Sequence, residues 1–373
     1  MAAITQFQIA REAGVSRSTV AKVLVNTPGA RISDEVRERV LAAAERLGYR
    51  PNRYAQVMRK GKTGLIGIIN FGSTSLLVQR KVVAAAHAVV REGWHPLVYD
   101  ALWFADPGEA ACRHMIDSRV EGVILINPSS LFEQKYLDLL LEANIPVVAN
   151  GGEHLCGIAS VVSDRSWGYQ TLARHLLSLG ARRLTFLTSR TSSPSIEGFY
   201  RALLEDPSGE ARGEVVTVPI NSLVNREEPS ELAPYLPGKM GMQQIVAKNR
   251  VPDALLCAND EWAFGALSTC LEADIRIPHE MAVTGFEDEP ISSVGMMPLT
   301  TIAHPVREVS DRLVAILLDQ LRGKDSPKPE RIAVRGRLIV RRSCGAYLKF
   351  PEKFPHPQPT AIPSNPPSTL SHP

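Results

Sequence analysis

From Gly64 onward the chain alternates short apolar runs with longer stretches whose apolar residues recur every three to four positions. The short runs are rich in Val, Ile and Leu and are bounded by turn residues, so they read as strands buried on both faces. LIGIIN (65–70), HPLVYD (95–100), GVILIN (122–127) and IPVVAN (145–150) are four such runs, separated by VVAAAHAVVREG, a helix around Ala110 to Ser118, and YLDLLLEAN. A comparable series restarts with YQTLARHLLSLG, RRLTFLTS, EGFYRALLE, GEVVTVPI, a helix near Gly241 to Lys248, DALLCAND, FGALSTCLEA and MAVTGF. Strand and helix alternating in this way require a parallel sheet, because consecutive parallel strands need a crossover between them. Two successive units predict two doubly wound lobes, with binding expected at the carboxyl ends of the strands in the cleft between them.

The first sixty-odd residues follow a different grammar. Thr5 is placed to cap a first helix with Gln8 completing a capping box, and Ile9, Ala10 and Ala13 form its apolar face. Gly14 supplies a tight turn, Val15 fills the angle behind it, and Ser16 caps a second helix expected over 17–24. Thr19, Val20 and Val23 then face inward, leaving Arg17, Ser18 and Lys22 on the outer side of a helix suited to a major groove. A third helix is expected from Ser33, with Val36, Val40, Ala44 and Leu47 at helical spacing. Residues 1–63 hold twelve Lys and Arg against five Asp and Glu, a net of +7, whereas the whole chain carries +3. The remainder is therefore acidic by four charges, and a basic module on an acidic body is the footprint of phosphate binding; a solvated basic face is the alternative that charge alone leaves open.

Composition limits the other classes. A chain of 373 residues, 44% of them hydrophobic, is long enough for a sizeable α/β core. The N-terminus lacks an apolar core behind basic residues, and no uncharged run approaches a membrane span, so a cytoplasmic protein with no membrane partner is expected. Five scattered cysteines (Cys112, Cys156, Cys257, Cys270, Cys344) without a CxxC pair predict reduced thiols and no metal site. No GxSxG, HExxH, P-loop or helix-opening GxGxxG occurs, so no catalytic residue, enzymatic role or cofactor is assigned. The acidic run GFEDEP (285–290) reads as a charged loop ending a strand. From Phe350 the chain is rich in Pro and Ser and is expected to be disordered, while NREEPSELAPYLPGK (225–239) reads as a surface loop.

GVSRSTVAKVL, RLGYRPNRYAQVM and the strand opening LIGII together resemble the lactose/galactose repressor family of bacterial transcription regulators, over about Ile4 to Cys344. The resemblance implies a small all-α helix-turn-helix domain (1–50), a hinge helix and linker (51–63), an α/β two-lobed, periplasmic-binding-protein-like effector-binding and dimerisation domain with parallel doubly wound sheets (64–349), and a Pro-rich tail (350–373). It implies a repressor acting as a homodimer on double-stranded, palindromic operator DNA, with a small-molecule effector, a sugar or related metabolite, controlling hinge ordering. A solute receptor without gene control fits the second part of the chain alone, and a regulator whose cleft responds to a protein partner or to no ligand is the other alternative. The expected DNA-contacting residues are Thr5, Ser16, Arg17, Ser18, Thr19, Lys22, Asn26, Tyr49, Asn52, Arg53, Ala55 and Met58. Met58 stands where the family usually inserts a leucine between base steps, and Lys22 where it often has arginine.

The resemblance also implies three crossings between the lobes, near residues 162, 290 and 323. It places Phe71, Ser73, Asp164, Trp167, Arg190, Ser195 and Asp260 at the cleft as ligand-binding candidates. Asp260 and Asp164 each have a second reading as a helix cap, Trp167 a second reading as packing, and Arg190 a second reading as a solvent-facing loop residue. Ligand-binding family members usually carry an arginine three residues before the Gly-Phe pair, and here that position is Ser195, so the residue expected to anchor a ligand is absent.

Overall fold

Capping decides where the first three helices begin. Thr5 opens α1 (Gln6–Ala13): its hydroxyl accepts from the Gln8 backbone N–H at 3.4 Å while the Gln8 side chain accepts from the Thr5 N–H at 2.8 Å. Gly14, at φ 64°, closes the helix in the left-handed region that a side chain would strain. Ser16 then accepts from the Thr19 N–H at 3.1 Å at the start of α2 (Arg17–Leu24), and Ser33 caps α3 (Asp34–Arg46) through the Val36 N–H. Ile9, Ala10, Ala13, Val20, Val23, Val40, Ala43 and Ala44 make one small core, and Val15 packs against it as its place in the turn predicts. Arg39 of α3 donates to the Ala13 carbonyl at 2.7 Å, occupying an acceptor that the end of α1 would otherwise leave to water.

The computed structural model describes residues 4–24, 31–49, 62–71, 75–101, 106–128, 132–219, 232–323 and 330–351. They fall into two units that divide between Gly64 and Leu65. In the second unit the chain runs β1 (Leu65–Asn70), α4 (Leu76–Arg91), β2 (His95–Asp100), α5 (Pro107–Asp117), β3 (Gly122–Ile126), α6 (Gln134–Glu142), β4 (Val147–Asn150) and β5 (Ala159–Ser163) through a first lobe. It continues with α7 (Arg165–Ser178), β6 (Arg183–Thr188), α8 (Pro194–Leu204), β7 (Arg212–Thr217), α9 (Leu236–Ala247), β8 (Ala254–Cys257), α10 (Asp260–Glu272), β9 (Ala282–Thr284), α11 (Ile291–Val294) and β10 (Thr301–Ala303) in a second. Then come α12 (Val306–Leu321), β11 (Arg331–Val334), β12 (Arg337–Ile339) and α13 (Ala346–Lys349).

Both large sheets are parallel. The first has the order β11-β5-β4-β3-β1-β2 and the second β7-β6-β8-β9. Alternation along β1 sends Ile66 and Ile68 to one core and Ile69 to the other, which is why the run LIGIIN shows no polar face. The second lobe is built around Tyr169, Leu172, Leu176, Phe186 and Phe199 on one side and Leu187, Met242, Leu255 and Val283 on the other.

Two of the three expected crossings move. The first follows β5, close to residue 162. The second lies at His304–Pro305 rather than near 290, because Leu299 and Ile302 are still core residues of the second lobe. The third lies at Arg335–Gly336 rather than near 323: α12 buries Val309, Leu313 and Leu317 in the first lobe, and β11 pairs with β5 before the chain returns to pair β12 with β10. The loop expected over 225–239 is also shorter, since Leu236 to Lys239 belong to α9, whose first turn holds Pro237 where no N–H is required. Residues 220–231 and the tail from 352 lie outside the described residues.

Candidate functional site

Two surfaces carry polar chemistry. On the first unit, Arg17, Ser18 and Lys22 are exposed on α2, while Val20 and Val23 are buried beneath them. Ser18 and Lys22 are four residues apart and so share a face. Ser16 and Thr19 are less free than expected: their hydroxyls lie 2.9 Å apart and one of them caps the helix, and Thr19 is half-buried. Thr5 is likewise held by Gln8. Tyr49 is half-buried against the three-helix core and donates its N–H to Ala44 at 2.8 Å. Phe7, which sequence reasoning passed over, is 67% exposed on α1, an unusual position for a large aromatic ring. Asn26, Asn52, Arg53, Ala55 and Met58 lie outside the described residues.

The second surface lies where the lobes of the second unit meet, around the loop that follows β9. Glu287 has φ 120° and Asp288 φ 54°, so two consecutive non-glycine residues sit in the left-handed half of conformational space. The loop is held from both lobes. Arg80 of α4, in the first lobe, donates to the Asp288 carbonyl at 3.2 Å and the Glu287 carbonyl at 3.5 Å, and pairs with the Glu289 carboxylate at 3.6 Å. From the second lobe, Arg341 binds the Asp288 carboxylate at 2.6 Å.

Asp260 is the inner support of this loop. It is fully buried, accepts from the Glu289 N–H at 2.8 Å and from the hydroxyls of Ser292 and Thr301 at 2.7 Å each, and has no oxygen turned to a cleft. The expectation that it points at a ligand is corrected accordingly: Asn259 is the cap of α10, accepting from the Trp262 N–H at 2.9 Å, and Asp260 positions the acidic loop. Burial raises its carboxyl above the usual range even with those three donors.

Arg165, the first residue of α7, faces Glu287. Its Nε donates to Ser195 at 3.2 Å, its Nη2 to the Ala258 carbonyl at 2.8 Å and the Tyr169 hydroxyl at 3.3 Å, and its Nη1 stands 4.0 Å from a Glu287 oxygen. The guanidinium lies 4.5 Å from the Phe286 ring centroid. This arrangement needs α7 and α8 in near contact. A Cβ on Gly198 would meet the Ser166 carbonyl oxygen at 2.0 Å, so the glycine of the Gly-Phe pair is what lets Ser195 approach Arg165.

Lys81 of α4 and His304 at the second crossing complete the group. Burial draws the Lys81 ammonium down to about 8, and burial pushes the Glu287 carboxyl up to about 8 with Asp260 adding to it. The His304 ring is pushed well below its ordinary value by burial and then by Lys81, Arg165 and Arg80. Glu261 and Glu289 are raised for the same first reason, burial, and each raises the other or is raised by a neighbouring carboxylate.

The remaining expected residues separate. Asp164 caps α7, accepting from the Trp167 N–H at 2.9 Å, and pairs with Arg335 at 3.7 Å; the Arg335 guanidinium also lies 5.9 Å from the Trp167 ring centroid. Those three residues therefore meet at the third crossing. Phe71 is a core residue, its ring 4.7 Å from that of Phe132. Arg190 is an exposed loop residue, and Ser73 lies outside the described residues. Arg80, Lys81, Arg165, Glu287, Glu289 and His304 escaped the sequence reading, although the basic pair inside an otherwise apolar helix and the acidic run after Gly-Phe were visible. Among the described residues no group of three or more His, Cys, Asp or Glu is placed to hold a metal, and no helix is long and apolar enough to cross a membrane.

Residues 7–52 match the family model described as bacterial regulatory proteins, lacI family, and residues 173–344 match a periplasmic binding protein-like domain. The chain is 28% identical over 352 residues to the HTH-type transcriptional repressor PurR of Haemophilus influenzae, covering 91% of this chain and 98% of that protein. It is 27% identical over 346 residues to the HTH-type transcriptional regulator AscG of Escherichia coli, with the same two coverages. Among solved structures, that of the Lac repressor dimer bound to operator and the anti-inducer ONPF superposes with a TM-score of 0.76 at 23% identity, covering 92% of this chain and 99% of that one. A complex of the transcriptional regulator CelR with cellobiose gives 0.62 at 21% identity, covering 91% and 99%.

Proposed function

Because the chain belongs to the lacI family of bacterial regulatory proteins and is a DNA-binding transcriptional regulator, we propose that it represses transcription as a homodimer on a palindromic operator, under the control of a small molecule in its interlobe cleft. The observation that carries this reading is the exposed face of α2. Arg17, Ser18 and Lys22 stand exposed on a helix whose start is fixed by a cap and whose back is buried, in a segment of net charge +7. Arg17 is assigned to a base edge, Lys22 to a phosphate or a single base acceptor, and Met58 to the minor groove as the apolar wedge of the hinge.

A homodimer is favoured by α4, where Leu76, Val83 and Val90 recur every seven residues and remain 42%, 53% and 55% exposed. Effector control follows if a ligand prefers one angle between the lobes and so shifts the hinge helices toward or away from order. A role as a solute receptor would leave the basic helix-turn-helix without use. Selection of bound sequences from a random pool identifies the operator, and Arg17→Ala then reads the assignment. The substitution should weaken specific binding on the order of tenfold and relax one base position. An equal loss on every sequence would remove the base-reading role. Lys22→Ala should weaken all sequences alike and reduce the salt slope by about one.

A further inference from the structure

The interlobe group has hydrogen-bonding capacity that the chain itself does not use, and that capacity describes a ligand. On the donor side, the Lys81 ammonium has no hydrogen-bond partner among the described residues. Arg165 spends its Nε and Nη2 on Ser195, Tyr169 and Ala258, leaving Nη1 opposite Glu287 at a distance too long for a hydrogen bond. On the acceptor side, Glu287 Oε2 and His304 Nδ1 are buried without a partner, in residues 6% and 8% exposed. Lys81 comes from the first lobe, Arg165 and Glu287 from the second, and His304 from the crossing between them. Arg165 is 35% exposed, so the group is reachable from solvent.

Resting on the reading that this cleft takes an effector, we infer that the effector is a small carboxylate with a hydrogen-bond donor on a neighbouring carbon, a polyhydroxy acid or an amino acid, bound by Lys81 and Arg165 through the carboxylate and by Glu287 through the donor. Two cations with unused N–H groups, the Lys81 ammonium and Arg165 Nη1, match the two oxygens of one carboxylate. Glu287 Oε2 is a buried oxygen to which nothing among the described residues donates, so the same ligand must also bring a donor to it. A neutral sugar would satisfy Glu287 but leave the Lys81 charge uncompensated in a half-buried place. A phosphate dianion would bring two charges toward Glu261, Glu287 and Glu289, whose carboxylates already repel one another. Arg80 takes no part, since the backbone carbonyls of Glu287 and Asp288 and the Glu289 carboxylate already engage it.

Thermal shift followed by calorimetry on the full chain tests the assignment with four arms: sugar acids such as gluconate and galacturonate, the common amino acids, the matching neutral sugars and amino acid amides, and hexose phosphates. A sugar acid or an amino acid should stabilise the protein and bind at least tenfold tighter than its neutral counterpart. Which of these two arms responds identifies the source of the carboxylate. Lys81→Met should abolish that preference and Lys81→Arg should keep it. Glu287→Gln, nearly equal in shape, should weaken the acid and the neutral counterpart together. Tightest binding by a neutral sugar or a hexose phosphate, or unchanged acid binding by a folded Lys81→Met protein, overturns the carboxylate assignment while leaving an effector cleft in place. If no arm stabilises the protein or changes operator affinity, the effector reading falls and this inference with it.

Discussion

Single side chains in this protein are decided by their neighbours more than by their type. Asp260 and Glu287 are both acidic residues just beyond a strand of the second lobe, yet Asp260 is enclosed by three donors and Glu287 keeps an oxygen without a partner. His304 gives a measurable consequence of the same crowding. Burial and three cations lower its folded value well below 6.5, so as pH falls the unfolded chain takes up this proton first. The stability tied to the neutral ring is therefore present above 6.5 and is lost as pH falls toward the folded value. Melting temperatures compared at about pH 7.5 and about pH 5.5 should drop less for His304→Gln than for the native chain. Equal drops would mean that the ring is protonated in the folded protein. A residue-level reading from sequence reached the exposure of Arg17, Ser18 and Lys22 because capping and helical spacing are local. It missed Lys81 and Arg165, because nothing near either residue in the chain says that the two share a cleft.

At the scale of elements, boundaries followed from local chemistry. Thr5 with Gln8, Gly14, Ser16 and Ser33 place four helix termini where the sequence puts them. Contacts between helices did not follow so readily. The approach of α7 and α8 depends on Gly198, and Gly198→Ala would press a methyl group into the Ser166 carbonyl. That change should destabilise the second lobe by about 1–3 kcal/mol, by the usual cost of overpacking. It should also disturb the Arg165–Ser195 contact, whereas Ser195→Ala removes only the contact. Denaturant unfolding of both variants separates the two effects, and a Gly198→Ala protein of native stability would show that α8 moves freely. The misplaced crossings near 290 and 323 have the same origin. Crossings at those positions would put β10 in the first lobe and β11 in the second, and only the burial of Ile302 in the second core and the pairing of β11 with β5 assign them the other way.

For the whole molecule, the division of charge matters first. A segment of +7 is joined to a remainder of −4, so phosphate binding and its salt dependence belong to the first unit while the acidic loop belongs to the second. The stripe of Leu76, Val83 and Val90 is the second large-scale feature. Val83→Asp should shift the protein toward monomer in sedimentation velocity and weaken operator binding, because a dimer reads two half-sites at once. A monomer with undiminished operator affinity would remove the dimer from the mechanism. The sequence by itself determined the helix-turn-helix, the parallel two-lobed architecture and the exposed face of α2, since each rests on periodicity, caps or net charge within a short window. Tertiary structure alone decided which residues meet at the cleft. Lys81, Arg165, Glu287 and His304, up to 223 positions apart in the chain, come from both lobes and the crossing between them and become neighbours through folding and through nothing local to any of them.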